Sequence, residues 1–400
     1  MKEILLPVVI FCVCVCQLGA QDLKPWTERL NNLEQINDPN KKRFELLELS
    51  KQLTDIWRGG INIEQINEQS KLIRVDQTSD KKVTIVSFGS KTYQNVYQLE
   101  WLVKTNDEIW TFSEEFSYVE SKEQLNLSYS LSKTSFDTYE FLVLNGKQEF
   151  IHVVDIETKC LFEKLHLAET DQQKDSINTT IQVRLGNLWS NSQLYESAFS
   201  GLSRMKTVTS KDRKVKICTY NIQKSDFSQQ FYGAVILKDD GEISVKPLTD
   251  ATEKIRTPER ASLTDKKWYG AIYLDIIETY SGNKTYYTLI GYKGHDEFIK
   301  TRVIDVMLIQ NGRIRFGMPV FKTERLSRSR VIFKYSAKAA MMLRYDQREK
   351  LIVFDNLVPA DPMYRGVYHY YGPDFSYNAF KFTKGAWELK RDIDLRNPKQ

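Results

Sequence analysis

The run Tyr368-His369-Tyr370-Tyr371-Gly372-Pro373-Asp374-Phe375 sets several aromatic rings beside one carboxylate. Tyrosine rings carry an apolar face and a polar handle, so with a nearby carboxylate they can stack on and hydrogen-bond a sugar. On that reading Tyr371 and Asp374 are ligand contacts. The blander reading, which the sequence favours, is a core strand meeting a Gly-Pro turn. Arg344 and Asp346, spaced two apart on one strand face, form a second pair expected to face the same cleft. Residues 300–348 hold twelve Lys or Arg, among them Arg302, Arg313, Arg315, Arg325, Arg328 and Arg330, against Asp305, Glu324 and Asp346. Such a window can bind nucleic acid, an anionic glycan or lipid headgroups. Strands of period two would instead put these charges on a solvated face, and that reading is preferred.

The familiar catalytic patterns do not occur. There is no Gly-x-Gly-x-x-Gly after a strand, no phosphate-cradling Gly-x-x-x-x-Gly-Lys loop, and no Gly-x-Ser-x-Gly elbow. The four histidines form no His-Glu-x-x-His, and His152, Cys160 and His166 match no recurrent zinc spacing. Two carboxylates across a cleft would suffice for a glycosidase. With 52 acids, however, no pair can be singled out. Asp275 and Glu278 fall on opposite strand faces, and Asp392 and Asp394 fit a solvated edge. No catalytic residue, cofactor or metal ligand is therefore assigned.

The elements that must position these residues are mainly strands. The chain has 400 residues, 41% hydrophobic and 12% aromatic, with net charge +5. That length suits two domains, and the aromatic surplus suits half-buried pleated surfaces. Residues 1–20, with Lys2 before the apolar run Ile4–Cys16 and Leu18-Gly19-Ala20 after it, read as a secretory signal peptide. Cys12, Cys14 and Cys16 each follow a bulky residue, which ranks a lipoprotein start lower. No later run is long enough to span a membrane, so the mature chain is expected to be exported, without a transmembrane segment and without a nucleic-acid partner. Charges such as Asp275, Asp305 and Lys334 interrupt the strands and argue against a membrane barrel. Only Cys160 and Cys218 remain after the signal peptide; they can pair or stay as separate buried thiols. Asn126, Asn178 and Asn283 begin sequons.

A helical hairpin opens the mature chain: Leu30, Leu33 and Ile36, then Asp38 as N-cap with Pro39 in the first turn, the stripe Leu46, Leu49, Leu53, Ile56, and Gly59-Gly60 as the stop. After residue 70 the period becomes two. Asn145-Gly146, Asp240-Gly241, Ser281-Gly282-Asn283, Asn311-Gly312 and Lys384-Gly385 mark tight hairpins. Residues 156–168 suit a helix, and the polar stretch 168–212 suits a boundary. Strands spaced about ten residues apart favour a sandwich, barrel or propeller-like array, although no 40–50-residue repeat supports a propeller.

An ordered set of phrases carries a resemblance over roughly residues 205–400. They are Trp268-Tyr269-Gly270-Ala271, Tyr286-Tyr287-Thr288-Leu289-Ile290-Gly291, Val303-Ile304-Asp305-Val306 and Phe316-Gly317-Met318-Pro319, then Val331-Ile332-Phe333-Lys334-Tyr335-Ser336-Ala337, Leu343-Arg344-Tyr345-Asp346, Ile352-Val353-Phe354-Asp355, Tyr371-Gly372-Pro373-Asp374-Phe375-Ser376-Tyr377 and Arg396-Asn397-Pro398-Lys399. Together they resemble a family of uncharacterised exported proteins of Bacteroidetes-type bacteria. The resemblance implies export and a periplasmic or envelope location in a Gram-negative cell, or secretion, and brings no activity with it.

The expected fold is mainly β, α+β overall: a signal peptide at 1–20, an N-terminal α+β domain at 21–205 with its helical hairpin, and an antiparallel, sandwich- or barrel-like β domain at 206–400. The expected function is a non-catalytic binding or structural module for a protein or glycan partner in the envelope. The alternative is an envelope hydrolase using two carboxylates in a cleft.

Overall fold

The computed structural model describes residues 23–61, 63, 72–93, 96–106, 108–117, 127–134, 138–145, 148–197, 199–294, 296–322 and 327–394. The expected signal peptide lies outside them, as do Asn126, Gly146 and Arg325. Contacts divide the chain into two compact units, Met1–Cys160 and Leu161–Gln400.

In the first unit, α1 (Lys24–Asn31) and α2 (Pro39–Arg58) form the hairpin. The Asp38 carboxylate accepts the N–H groups of Asn40 and Lys41 at 2.8 and 3.0 Å, which satisfies the donors a helix start leaves open. Leu46, Leu49, Leu53 and Trp57 bury the inner face of α2, with Ile56 partly covered. They pack on an antiparallel meander of β1 (Ile73–Gln77), β2 (Val83–Tyr93), β3 (Val96–Thr105) and β4 (Glu108–Ser117). The other face of that sheet meets β5 (Leu127–Lys133), β6 (Tyr139–Asn145) and β7 (Gln148–Val153). Trp101 centres this second layer, its ring 4.5 Å from Phe112 and 4.9 Å from Phe141.

Beneath α2 a carboxyl is buried. Glu100 is fully enclosed and accepts from Gln98 at 2.7 Å and Ser113 at 2.6 Å. Burial pushes it above the ordinary glutamate range, and these two bonds only partly offset that. The native state therefore takes up this proton at a higher pH than the unfolded chain does. Its contribution to stability is fully present below the unfolded value of about 4.3 and is lost as pH rises through the folded value. Glu100→Gln should flatten this dependence, read from urea unfolding at pH 5 and pH 7. An unchanged pH profile in the variant would refute the assignment.

The helix α3 (Ile156–Leu167) carries the division between the units. A second helix, α4 (Asp171–Ser190), follows where the sequence suggested only a polar boundary. A capping box explains its start: the Thr170 hydroxyl accepts from Gln173 N–H while the Gln173 side chain accepts from Thr170 N–H. Ile181, Leu185 and Leu188 form its buried stripe. Residues 161–205, expected with the first half, pack within the second unit: Phe162 meets Tyr220 edge-on at 5.2 Å and Arg204 bonds Glu163 in the bidentate manner. Asn178 is buried and accepts the Tyr220 hydroxyl at 2.7 Å, so that sequon offers no exposed acceptor.

Strands resume at residue 206. The first sheet of this unit holds β8 (Lys206–Thr209), β9 (Val215–Gln223), β10 (Gln229–Asp239) and β11 (Glu242–Thr249). The second holds β12 (Ile272–Ser281), β13 (Lys284–Gly294), β14 (Ile299–Gln310) and β15 (Arg313–Phe316). Next come β16 (Phe321–Lys322) and β17 (Ser327–Arg328); then β18 (Arg330–Ser336) joins the second sheet beside β14. The third sheet, in the order β17, β16, β22, β21, β20, β19, uses β19 (Leu343–Asp346), β20 (Leu351–Pro359), β21 (Tyr371–Thr383) and β22 (Ala386–Lys390). All its pairs are antiparallel except β16 with β22.

Strand alternation makes the second sheet a central layer. Tyr287, Leu289, Val303 and Met307 face Val215, Ile217, Phe231 and Val235 of the first sheet, while Tyr286, Ile290, Ile304 and Leu308 face Phe321, Ile352, Phe380 and Trp387 of the third. This is the mainly β, α+β fold expected, its second unit built of largely antiparallel sheets packed face to face. The hairpins at Asp240-Gly241, Asn311-Gly312 and Lys384-Gly385 all have both turn residues at positive φ, as two-residue turns of this kind require. Cys160 and Cys218 are free and buried, one in each unit, which settles the open question in favour of separate thiols. Burial pushes the Cys218 thiol up to about 11.

Candidate functional site

The aromatic run is built on the end of β21 and the two short 3-10 turns Pro362–Tyr364 and Tyr368–Tyr370 that precede it. Its rings gather on one another. Tyr364 and Tyr370 stack at 4.0 Å, His369 lies 4.0 Å from Tyr370, and Tyr368 lies 5.3 Å from Tyr371. Lys334 Nζ sits 5.5 Å from the Tyr368 ring centre. Tyr371 is half-buried, and its hydroxyl accepts the Gly366 N–H at 3.0 Å. Met363, Tyr368, Tyr370 and Phe375 are exposed, Phe375 by 89%. The preferred core-strand reading therefore describes residues 378–380 of β21, which are buried, and not residues 368–375.

Asp374 is exposed and engaged locally. It accepts from Ser376 N–H at 3.0 Å, Ser376 hydroxyl at 2.7 Å and Asn356 at 2.8 Å. Slight desolvation would raise its pKa; these bonds outweigh it and hold the carboxyl below the ordinary range. Phe375 has φ +65°, a left-handed conformation uncommon for a bulky residue and costing on the order of 1–3 kcal/mol.

Arg344 and Asp346 bond each other at 3.2 Å on the edge strand β19. The N–H groups of Glu349 and Arg348 and the Arg344 guanidinium hold the Asp346 carboxyl below its usual range. The register sets Arg344 opposite Val353 and Asp346 opposite Leu351, whereas Asp374 lies past the irregularity at Asp355/Leu357. The four residues thus share a sheet: Tyr371 and Asp374 lie on β21 with separate partners, and Arg344 is paired with Asp346 at the edge.

The sequence did not single out a polar cleft of this unit. A cleft of about 670 Å3 is lined by Asp250, Thr252, Arg256, Tyr269, Lys293, Thr301 and Lys334, among others. Lys293, on β13, is 6% exposed. Its ammonium donates to the Thr252 hydroxyl at 2.7 Å and the Gly270 carbonyl at 2.8 Å. The rings of Phe231 and Tyr269 lie 4.5 and 4.4 Å from it. Burial lowers its pKa to about 8, with Asp250 opposing the shift. Asp250 is itself committed: it accepts from Phe231 N–H, Thr252 N–H and the Thr252 hydroxyl at 3.1, 2.9 and 2.6 Å.

The opposite edge of the Tyr269 environment holds a second buried cation. Arg330 is fully enclosed, its guanidinium carbon 5.2 Å from the Tyr269 ring centre. Its Nε and Nη2 meet Asp305 Oδ2 at 2.8 and 2.7 Å, and Nη1 donates to the Pro258 carbonyl at 2.5 Å. Asp305 Oδ1 accepts from Val306 and Gly317 N–H. The preferred solvated-face reading of the basic window therefore fails for Arg330. It holds for Arg313 and Arg315, which are exposed.

Among the described residues two carboxyls are pushed upward by burial, Glu100 and Asp305; they belong to different units, and neither lines a described cleft. Among the described residues no group of three or more His, Cys, Asp or Glu is placed to hold a metal ion. Among them, too, no helix is long and apolar enough to cross a membrane. Neither the family models nor the curated proteins compared with the chain match it.

Proposed function

We propose that the chain is an exported envelope protein that acts as a non-catalytic binding module, with the aromatic face at residues 363–375 as its contact surface for a glycan or protein partner. The signal-peptide pattern and the C-terminal phrases support the location. The observation that carries the binding reading is the ring cluster at the start of β21, where Tyr364 stacks on Tyr370 at 4.0 Å and Tyr368 lies 5.3 Å from Tyr371. Tyr368 and Tyr370 are exposed, and Phe375, 89% exposed on a backbone at φ +65°, follows on the same strand. Single exposed apolar residues are ordinary, but a contiguous group of them marks interaction surfaces. The Asp374–Asn356 pair, whose Asp374 immediately precedes Phe375 along β21, supplies the polar groups that favour a glycan.

Phe375→Gly separates the two roles this residue could have. Glycine relieves the backbone and removes the ring, so folding stability should hold or rise by about 1 kcal/mol while partner binding falls. Glycan-array screening of the mature chain, and crosslinking in its native envelope, supply the ligand; Tyr370→Ala should weaken the same binding. Wild-type binding by both variants, or no partner from either screen, would overturn the proposal.

A further inference from the structure

Three side chains of the central sheet stand in one row. Lys293 on β13 is opposite Thr301 on β14, and Thr301 is opposite Lys334 on β18. Residues paired in this way point to the same face, so the row sets a lysine on either side of one threonine, the outer backbones about 10 Å apart. All three line the 670 Å3 cleft.

Each outer member of the row is a cation without a bonded carboxylate among the described residues: the acceptors of Lys293 are a hydroxyl and a carbonyl, and Lys334 lies over a ring. A buried charge is costly unless it is paired. The middle member has the complementary defect. Thr301 is 2% exposed, and its hydroxyl has no hydrogen-bond partner. Arg256 and Lys254 add positive charge to the wall; of the two acids that also line it, Asp250 and Glu253, Asp250 is occupied by three donors. The cleft's volume falls within the range of small-molecule sites, roughly 300–1,000 Å3.

We propose that this cleft binds a small hydroxyl-bearing oxyanion, a sugar acid or sugar phosphate, whose anionic group lies across Lys293, Thr301 and Lys334. Lys293 and Lys334 supply the charge. Thr301 supplies the missing hydrogen bond, and Tyr269 presents a ring to the rest of the ligand. The site is independent of the aromatic contact surface, although Lys334 borders both.

The test is titration calorimetry of the mature chain with glucuronate, glucose 6-phosphate and glucose at matched ionic strength. One or both anions should bind, and which one distinguishes the two sources. Glucose should bind at least about tenfold more weakly, as expected for loss of a charge-assisted bond. Lys293→Met should weaken anion binding by about tenfold or more, and Thr301→Val by several-fold. Both substitutions remove polar groups from buried positions without changing size much, and thermal unfolding of each variant confirms that it is folded. Binding of glucose equal to that of the anions, unchanged affinity in the folded variants, or no anion binding at millimolar concentration would each overturn the proposal.

Discussion

Asp305→Ala is expected to cost the protein about 3–5 kcal/mol of folding stability. The reason is what it leaves behind. Arg330 is sealed among Asp305, the Pro258 carbonyl and the Tyr269 ring, at 0% exposure. Removing the carboxylate strands a guanidinium that cannot lose its proton and has no route to water. The same change removes the Asp305 acceptor of the Val306 N–H and one of the two acceptors of the Gly317 N–H, which also donates to the Val306 carbonyl at 2.9 Å. Gly317 adds a geometric constraint: at φ +76° its backbone passes so close to Ala261 that a Cβ would fall 2.2 Å from the Ala261 carbonyl oxygen, so no other residue fits there. The double variant Asp305→Leu with Arg330→Met removes both charges and should recover much of the loss, because a buried ion pair contributes little over a well-packed apolar pair. Guanidinium chloride unfolding of the single and double variants decides this. Equal losses in both would show that the charge is not the cause.

Trp387→Ala should cost a similar amount, about 3–5 kcal/mol, for a different reason. Trp387 is 1% exposed and joins two layers: its ring packs on Phe382 and its indole N–H donates to Thr288 of β13 at 2.9 Å. Its backbone N–H donates to the Val320 carbonyl at 2.7 Å, next to the parallel β16–β22 pair. Trp387→Phe keeps most of the apolar volume and loses the indole bond, leaving a fully buried Thr288 hydroxyl without that donor; about 1–3 kcal/mol is expected. Thermal and urea unfolding should rank Ala below Phe below the native residue. A phenylalanine variant as damaged as the alanine one would mean that the polar contact, and not packing, dominates.

Much of this architecture was readable where one residue type answers to one local geometry. Asp38-Pro39 caps a helix because a short acceptor is needed there and proline loses nothing. Asn311-Gly312 and Lys384-Gly385 turn because positive φ is needed at both positions. The helix α4 was not read because Ile181, Leu185 and Leu188 are diluted among polar residues, although Thr170 and Gln173 carried its start. The Lys293–Thr301–Lys334 row was beyond reach for another reason. Period two tells which face a strand residue takes, but not which strand lies beside it, and β14 pairs with β18 across the intervening β15, β16 and β17. Arg330 escaped likewise: its charge suggested water, and only its neighbour across the sheet, Asp305, allows it inside. Tyr371 and Asp374, close in sequence, lie on one strand, β21, but each bonds its own local partners.

The position of β22 has a consequence for how the chain is made. It is the last strand described, yet it lies inside its sheet, between β16 and β21. Until residues 386–390 arrive, β16 has no partner on that side and the Thr288 hydroxyl has no indole. A chain emerging from a ribosome or a translocation pore amino end first would hold an open sheet edge from the arrival of β16 at residue 322 until that of β22 at residue 386. The native seal forms only when the tail threads home, so early termination within the tail would leave an adhesive edge exposed.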